Sequence, residues 1–278
     1  MVSAAGPLPA TRPTDEDLDR VAGRVRELLA GYQPPDFAHV PSADAALFLC
    51  AIDNRTGYRE AHLVSGRGPF EGSELLWELG VLAERRRPGL LSAASLRAIG
   101  GEDVAELFRA DGETVADPGQ RARLWRDAAG RLLAEHSGSA EVLIADAGGL
   151  LGGPRGLLAL LAPIEAYADP LAKKSFLFAK ICERRGWLEV ADPGSWQVCA
   201  DNVLMRLALR SGLVAIGPRD SVRAETRAAL AALAERAGVS PPILDDLLWE
   251  LGREDPDLLG TEGGRLREPE RDPRAHWY

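Results

Sequence analysis

Short segments with a helical spacing of apolar residues, separated by glycine and proline, most constrain what this chain can fold into. The first begins at Thr14-Asp-Glu-Asp17, where a hydroxyl can cap a helix and acids occupy its first turn. Gly31 ends this segment ahead of a Pro-Pro pair. The same spacing predicts further helices over residues 43–52, 71–84, 92–99, 102–110, 118–136, 157–167, 171–185, 196–210, 221–237 and 241–251. Alternation typical of a strand is weak and confined to residues 61–64, so a mostly α-helical fold is expected.

Domain boundaries follow from composition. Residues 1–13 are small and proline-rich, which predicts a disordered lead. Residues 255–278 are charged and rich in glycine and proline, which predicts a loosely ordered tail. No period repeats along the chain, so residues 14–254 are expected to form a single helical domain.

Composition and charge exclude several classes of function. A net charge of -9 argues against dominant, sequence-independent binding to long nucleic acids, which depends on neutralising phosphates. The 3 cysteines are odd in number and far apart, so no disulfide framework is expected. The 4 histidines have no metal-ligand spacing, so no metal site is expected, and no cofactor is expected either. No basic-then-apolar leader or long apolar stretch is present, which predicts a cytoplasmic protein without membrane contact and leaves its oligomeric state open.

Two motifs invite comparison with phosphate-binding sites. Gly148-Gly-Leu-Leu-Gly-Gly-Pro154 resembles a phosphate loop but lacks the Gly-Lys-Ser/Thr ending, so it is interpreted as a flexible connection. Arg85-Arg-Arg-Pro88 favours a solvated helix end over a phosphate clamp.

The lysines are the most unusual feature of the composition. Of the 33 basic residues, lysine occurs only at Lys173, Lys174 and Lys180, all in one predicted helix. Arginine stays protonated in proteins whereas the pKa of a lysine can be tuned by burial, so this helix is a candidate position for a functional amine. A solvated helix face is the alternative, because adjacent lysines point in different directions. Downstream, Asp201 opens an apolar helix, where it either caps the helix or presents a carboxylate to a pocket.

With the helices in this order, the chain resembles the queuosine salvage proteins, a branch of the helix-hairpin-helix DNA glycosylase superfamily. Four stretches across residues 43–254 carry the resemblance: the lysine helix 171–185, Ala200-Asp-Asn-Val-Leu-Met-Arg-Leu-Ala-Leu-Arg-Ser-Gly-Leu-Val214, Glu225-Thr-Arg227 and Ile243-Leu-Asp-Asp-Leu-Leu-Trp249. Two stretches depart from the family pattern. Its Asp-Tyr-Arg-x-Pro-Gln is here Asp201-Asn-Val-Leu-Met-Arg206, and its aromatic ligand-contacting stretch is Ala51-Ile-Asp-Asn-Arg-Thr-Gly57.

The resemblance implies a helix-hairpin-helix glycosylase fold and an N-glycosidase without a cofactor. Its substrate would be a modified nucleoside or nucleoside 5′-monophosphate, from which queuine or a related base is released. Asp201 would be the catalytic carboxylate, and Lys174 a phosphate ligand or a nucleophilic amine. The candidate substrate-binding residues are Asp53, Asn54, Arg55, Asn202, Arg206, Arg227 and Asp245.

Two alternatives remain. The first is a DNA glycosylase/lyase acting on a damaged base such as 8-oxoguanine, in which Lys174 is the nucleophile and DNA is the partner. The second is a helical nucleotide-binding protein without catalytic activity. For several candidates a structural role is equally compatible with the sequence, since Asp245 can favour a helix dipole and Asp53 to Arg55 can close a loop.

Overall fold

The computed structural model describes residues 13–270 and 276–277. Within these residues the chain is mostly helical, as predicted. The α-helices are α1 (Asp15–Leu29), α2 (Ala43–Ile52), α3 (Gly72–Arg86), α4 (Ala93–Leu96), α5 (Gly101–Leu107), α6 (Pro118–Glu135), α7 (Ala140–Asp146), α8 (Leu157–Leu161), α9 (Lys173–Arg184), α10 (Asn202–Arg210), α11 (Arg219–Ala237) and α12 (Pro241–Glu254). Two small antiparallel hairpins pair β1 (Leu63–Ser65) with β2 (Gly68–Phe70) and β3 (Arg109–Ala110) with β4 (Glu113–Thr114).

The chain divides into two compact units. Among the described residues, the first unit combines residues 13–35 with 196–270, and the second combines residues 36–195 with 276–277. The single domain predicted over residues 14–254 stays a prediction, and the predicted lead falls almost entirely on residues outside the described part. No helix of the described residues is long and apolar enough to cross a membrane.

The first unit is built from α1, α10, α11 and α12, with α1 and α12 both packed against α11. Helix α1 begins with the predicted capping box, since the Thr14 hydroxyl accepts from the Asp17 amide and the Asp17 carboxylate accepts in return. Residues 255–270, predicted to be loosely ordered, contribute the buried side chains of Leu258 and Leu259 to this unit.

The second unit is organised around α2, in which every residue from Ala43 to Ile52 is buried. An apolar helix of this kind needs partners on all sides, and α3, α6, α7 and α9 supply them. Two large aromatic side chains donate hydrogen bonds to the backbone of α2. Trp125 Nε1, on α6, donates to the Phe48 carbonyl at 2.6 Å, and the Tyr167 hydroxyl donates to the Leu47 carbonyl at 2.5 Å.

Several predicted elements have different boundaries in the structure. The helix expected over 157–167 ends at Leu161, because Pro163 cannot continue it, and a 3-10 turn follows at Glu165–Tyr167. The helix expected from residue 196 begins only at Asn202, because Asp201 has extended backbone dihedrals and caps it. Helix α7, capped by Ser139, was not predicted.

Candidate functional site

All three lysines lie on α9, two of them at its start, and all of them are buried. Lys173 is 8% exposed, Lys174 is 0% exposed and Lys180 is 4% exposed. The solvated-face interpretation of this helix is therefore wrong. We call the polar groups gathered at the start of α9 and the end of α2 the lysine cluster: Asp53, Asn54, Ser73, Lys173 and Lys174.

Lys174 connects the first turn of α9 to the end of α2. Its Nζ donates to the Ala51 carbonyl at 2.6 Å and to Asn54 Oδ1 at 2.9 Å. Burial lowers the pKa of Lys174 well below its usual value, and the neighbouring Lys173 charge lowers it further. A neutral amine has two N–H groups, the same number as the acceptors that Nζ finds among the described residues. Geometry and electrostatics thus both favour a neutral Lys174.

Asp53 is the charged counterpart in this cluster. Its carboxylate lies 3.6 Å from Lys173 Nζ and accepts a hydrogen bond from the Ser73 hydroxyl at 2.6 Å. Burial by itself raises the pKa of Asp53, but Lys173, Ser73 and the other nearby donors outweigh it and hold the pKa below its usual value. The Asp53 carboxylate is therefore ionised at neutral pH, and it lies beside Lys173 in the same cluster as Lys174.

Asn54 and Arg55 follow Asp53 and are held by a side chain that the sequence did not identify. Arg121, on α6, is 1% exposed and donates to the Ala116 and Asn54 carbonyls and, at 3.2 Å, to the Arg55 carbonyl. Burial lowers the pKa of Arg121 to about 10, which still leaves it charged at neutral pH. Arg55 has a positive φ of 32° and lies 3.7 Å from the Asp117 carboxylate.

One donor in the lysine cluster has no partner. The Nδ2 atom of Asn54 is buried and makes no hydrogen bond within the described part of the chain. An unpaired buried amide donor is unfavourable, so this atom is suited to a ligand oxygen or an ordered water.

The other candidate residues lie in the first unit, around residues 198–202, which we call the aspartate segment. Asp201 caps α10, because its Oδ1 accepts from the Val203 amide at 2.9 Å and from the Leu204 amide at 3.1 Å. Backbone donors and the positive end of a helix dipole both favour the ionised form of such a carboxylate. Asp201 is 9% exposed.

Arginines from one face of α11 hold the backbone of the aspartate segment. Arg223 donates to the Ala200 carbonyl at 2.9 Å, and Arg227 donates to the Val198 carbonyl at 3.3 Å. Arg219 donates to Asn202 Oδ1 at 2.8 Å. These three arginines follow each other at intervals of four residues, a spacing that places them on one helix face and is visible in the sequence.

Helix α12 contributes a further contact to the aspartate segment. The Asp245 carboxylate accepts from the Cys199 amide at 2.6 Å. Arg206 instead faces the end of the described chain, with Nε 4.0 Å from the Glu268 carboxylate. Arg227, Asn202 and Asp245 therefore gather around Asp201, whereas Lys174 gathers with Asp53 and Asn54 in the other unit.

The glycine loop, residues 148–154, has no free amides to offer a phosphate at its centre. Its Leu151 and Gly152 amides donate to the Asp192 carboxylate at 2.7 and 2.9 Å. An internal carboxylate thus occupies the position of an anionic ligand, in agreement with its interpretation as a connection rather than a phosphate loop.

Comparison with known proteins finds no match: no protein-family model fits this chain, and no curated protein is significantly similar to it. Nor does the described part of the chain contain a group of three or more His, Cys, Asp or Glu side chains arranged to hold a metal ion.

Proposed function

We propose that this protein is an N-glycosidase of the queuosine-salvage type, with a helix-hairpin-helix glycosylase-like fold. Its substrate would be a modified nucleoside or nucleoside 5′-monophosphate, and its products the free base and the sugar. The observation that carries the proposal is the Asp201 carboxylate, which is fixed at the start of α10 by two backbone amides.

Hydrolysis of an N-glycosidic bond needs such a carboxylate. As the carbon–nitrogen bond breaks, positive charge develops on the sugar ring, and a fixed negative charge nearby stabilises it. The base departs with the electron pair of that bond, the oxygen of a water molecule bonds to the anomeric carbon, and the carboxylate accepts the proton that the water loses. Transfer of this same proton to the departed base restores the carboxylate and completes the hydrolysis. Arg223 and Arg227 donate to the adjacent backbone carbonyls and Asp245 accepts from the Cys199 amide, which supports the required rigidity.

Within the second unit, Lys174 fixes the Asp53–Arg55 turn relative to α9 through the Ala51 and Asn54 oxygens. The unpaired Asn54 Nδ2 is a donor suited to an oxygen of a ligand bound by that unit alone.

The test is release of free base from queuosine 5′-monophosphate, followed by chromatography, with the wild-type protein and Asp201→Asn. Asparagine caps a helix about as well as aspartate, so the variant should fold normally while losing the negative charge. We expect a loss of several orders of magnitude in rate, on the scale of removing a key catalytic group.

Asp220→Asn is the matched control, because it removes the same charge from an exposed position in the first turn of α11. It should retain full activity. Undiminished release by Asp201→Asn would contradict the proposed role of Asp201. Absence of release by the wild type from the nucleotide and from free nucleosides would contradict the proposed reaction.

One observation favours the DNA glycosylase/lyase alternative: a buried amine with a lowered pKa is suited to forming a Schiff base. Against it, Lys174 Nζ is fully buried and engaged by two oxygens. Borohydride trapping on DNA containing 8-oxoguanine separates the two functions, since only a lyase leaves a covalent adduct that Lys174→Gln abolishes. Tight nucleotide binding without turnover would instead support the non-catalytic alternative.

A further inference from the structure

A groove of about 620 Å³ lies in the second unit, away from the lysine cluster. One wall is α7 with the start of the glycine loop, and the other is residues 187–191, which follow α9. Lys174 is in the first turn of α9 and Arg184 is its last residue, so the groove begins about 15 Å farther along that helix. We call it the acidic groove.

The walls of the acidic groove are joined by backbone contacts. The Ala191 amide donates to the Gly149 carbonyl at 2.8 Å. Gly149 has a φ of +82°, and a Cβ at this position would lie 2.8 Å from the Glu189 carbonyl oxygen. Only glycine allows this approach, and Asp192 closes the adjacent turn. The groove is therefore a preformed feature of the second unit.

Charge distinguishes the acidic groove. Its lining contains two carboxylates, Glu141 and Glu189, both exposed, and no basic residue. The guanidinium of Arg185 lies over the ring of Trp187, a lining residue, at 5.2 Å from the ring centroid. That contact shows that this aromatic wall accepts a guanidinium within the chain itself.

The remaining surface of the groove is apolar, with Ile144, Leu188 and Val190 among its lining residues. Val142 and Leu150 are the chain neighbours of the lining residues Glu141 and Gly149, and they are 36% and 38% exposed, which makes them two of the few large apolar side chains exposed in the described part of the chain. Apolar surface next to charge is typical of a binding surface for another protein.

Unused backbone donors complete the site. The amides of Glu189 and Val190 have no hydrogen-bond partner among residues 13–270 and 276–277. Unpaired main-chain groups along a groove are the feature that extended peptides use when they bind to a protein edge.

We propose that the acidic groove binds an extended peptide segment of a partner protein in which arginine alternates with aliphatic residues. The arginines pair with Glu141 and Glu189, the aliphatic side chains contact Ile144 and Val190, and the peptide backbone pairs with the free amides. This inference is independent of the N-glycosidase proposal.

The test uses fluorescence anisotropy of a labelled hexapeptide that alternates arginine and leucine, added to the full-length protein. Binding should weaken as salt is raised, because exposed ion pairs are screened. A Glu141→Gln/Glu189→Gln variant should bind about tenfold more weakly, since each exposed pair contributes modestly. Both positions are exposed, so the variant should fold normally.

Glu102→Gln/Glu135→Gln is the matched control, with the same change in net charge at exposed positions outside the groove. It should bind like the wild type, and a peptide with glutamate in place of arginine should not bind. Equal weakening in both double variants would attribute binding to overall charge and overturn the proposal. Equal affinity for arginine amide alone would show a small-cation site instead of a peptide site, and no binding of the hexapeptide would also overturn it.

Discussion

The neutral state of Lys174 leads to a quantitative prediction about stability and pH. In the unfolded chain this amine has a pKa of about 10.4, and burial places the folded-state pKa well below that value. Between the two pKa values the unfolded chain binds a proton that the folded protein does not. The free energy of unfolding should therefore rise with pH by about 1.4 kcal/mol per pH unit across that range, through this one group.

Lys174→Met removes the amine while keeping most of the side-chain volume. Two acceptors, the Ala51 carbonyl and Asn54 Oδ1, lose a buried donor, which costs about 1–3 kcal/mol each. The variant also no longer has to deprotonate an amine on folding, which stabilises it relative to the wild type below the unfolded-state pKa. These two effects have opposite signs, so the pH dependence and not a single stability value is decisive.

The measurement is urea unfolding of the wild type and Lys174→Met at pH 7, 8 and 9. The wild type should gain stability over the variant at each step, with a slope approaching 1.4 kcal/mol per pH unit. Lys174→Arg provides the contrast: arginine cannot become neutral, so this variant should be strongly destabilised at every pH. Parallel curves for the wild type and Lys174→Met would refute a neutral Lys174.

Three further predictions concern the second unit. Burial and three nearby arginines lower the pKa of His39 to about 4, so its imidazole signals should titrate near pH 4 in an NMR experiment. Because the unfolded value is about 6.5, this group should reduce stability as pH falls from 6.5 towards 4. Asp192→Ala should increase hydrogen exchange at the glycine-loop amides and destabilise the protein by about 1–3 kcal/mol, by removing their acceptor. Glu78→Ala should destabilise it by a similar amount, measured by thermal unfolding, and speed exchange in the β1–β2 hairpin, because the buried Glu78 carboxylate accepts from Ser65 and Arg67.

Local signals predicted much of the helical structure. The apolar spacing over residues 43–52 predicted the bounds of α2, and Thr14 with Asp17 predicted the start of α1. These features depend on neighbours within one helical turn, which a sequence displays directly. The start of α10 illustrates the limit: the apolar spacing predicted a helix from residue 196, whereas Asp201, a residue suited to a helix start, caps a helix that begins at Asn202.

Contacts between distant residues could not be predicted in the same way. The Asp192 carboxylate accepts from the Gly152 amide, 40 residues earlier in the chain. Arg121 donates to the Asn54 and Arg55 carbonyls, more than 60 residues earlier. Nothing in the local pattern selects these partners. The four-residue spacing of Arg219, Arg223 and Arg227 was visible, but its meaning required the position of the aspartate segment.

The burial of all three lysines has a practical chemical consequence. Amine-reactive reagents, including cross-linkers and acylating agents, need an exposed and nucleophilic ε-amine, and the folded protein offers at most 8% exposure at any lysine. Acylation of a lysine would therefore require its part of α9 to become exposed first. The rate of lysine labelling in the native protein should therefore measure how often the second unit opens locally, without any added label or introduced residue.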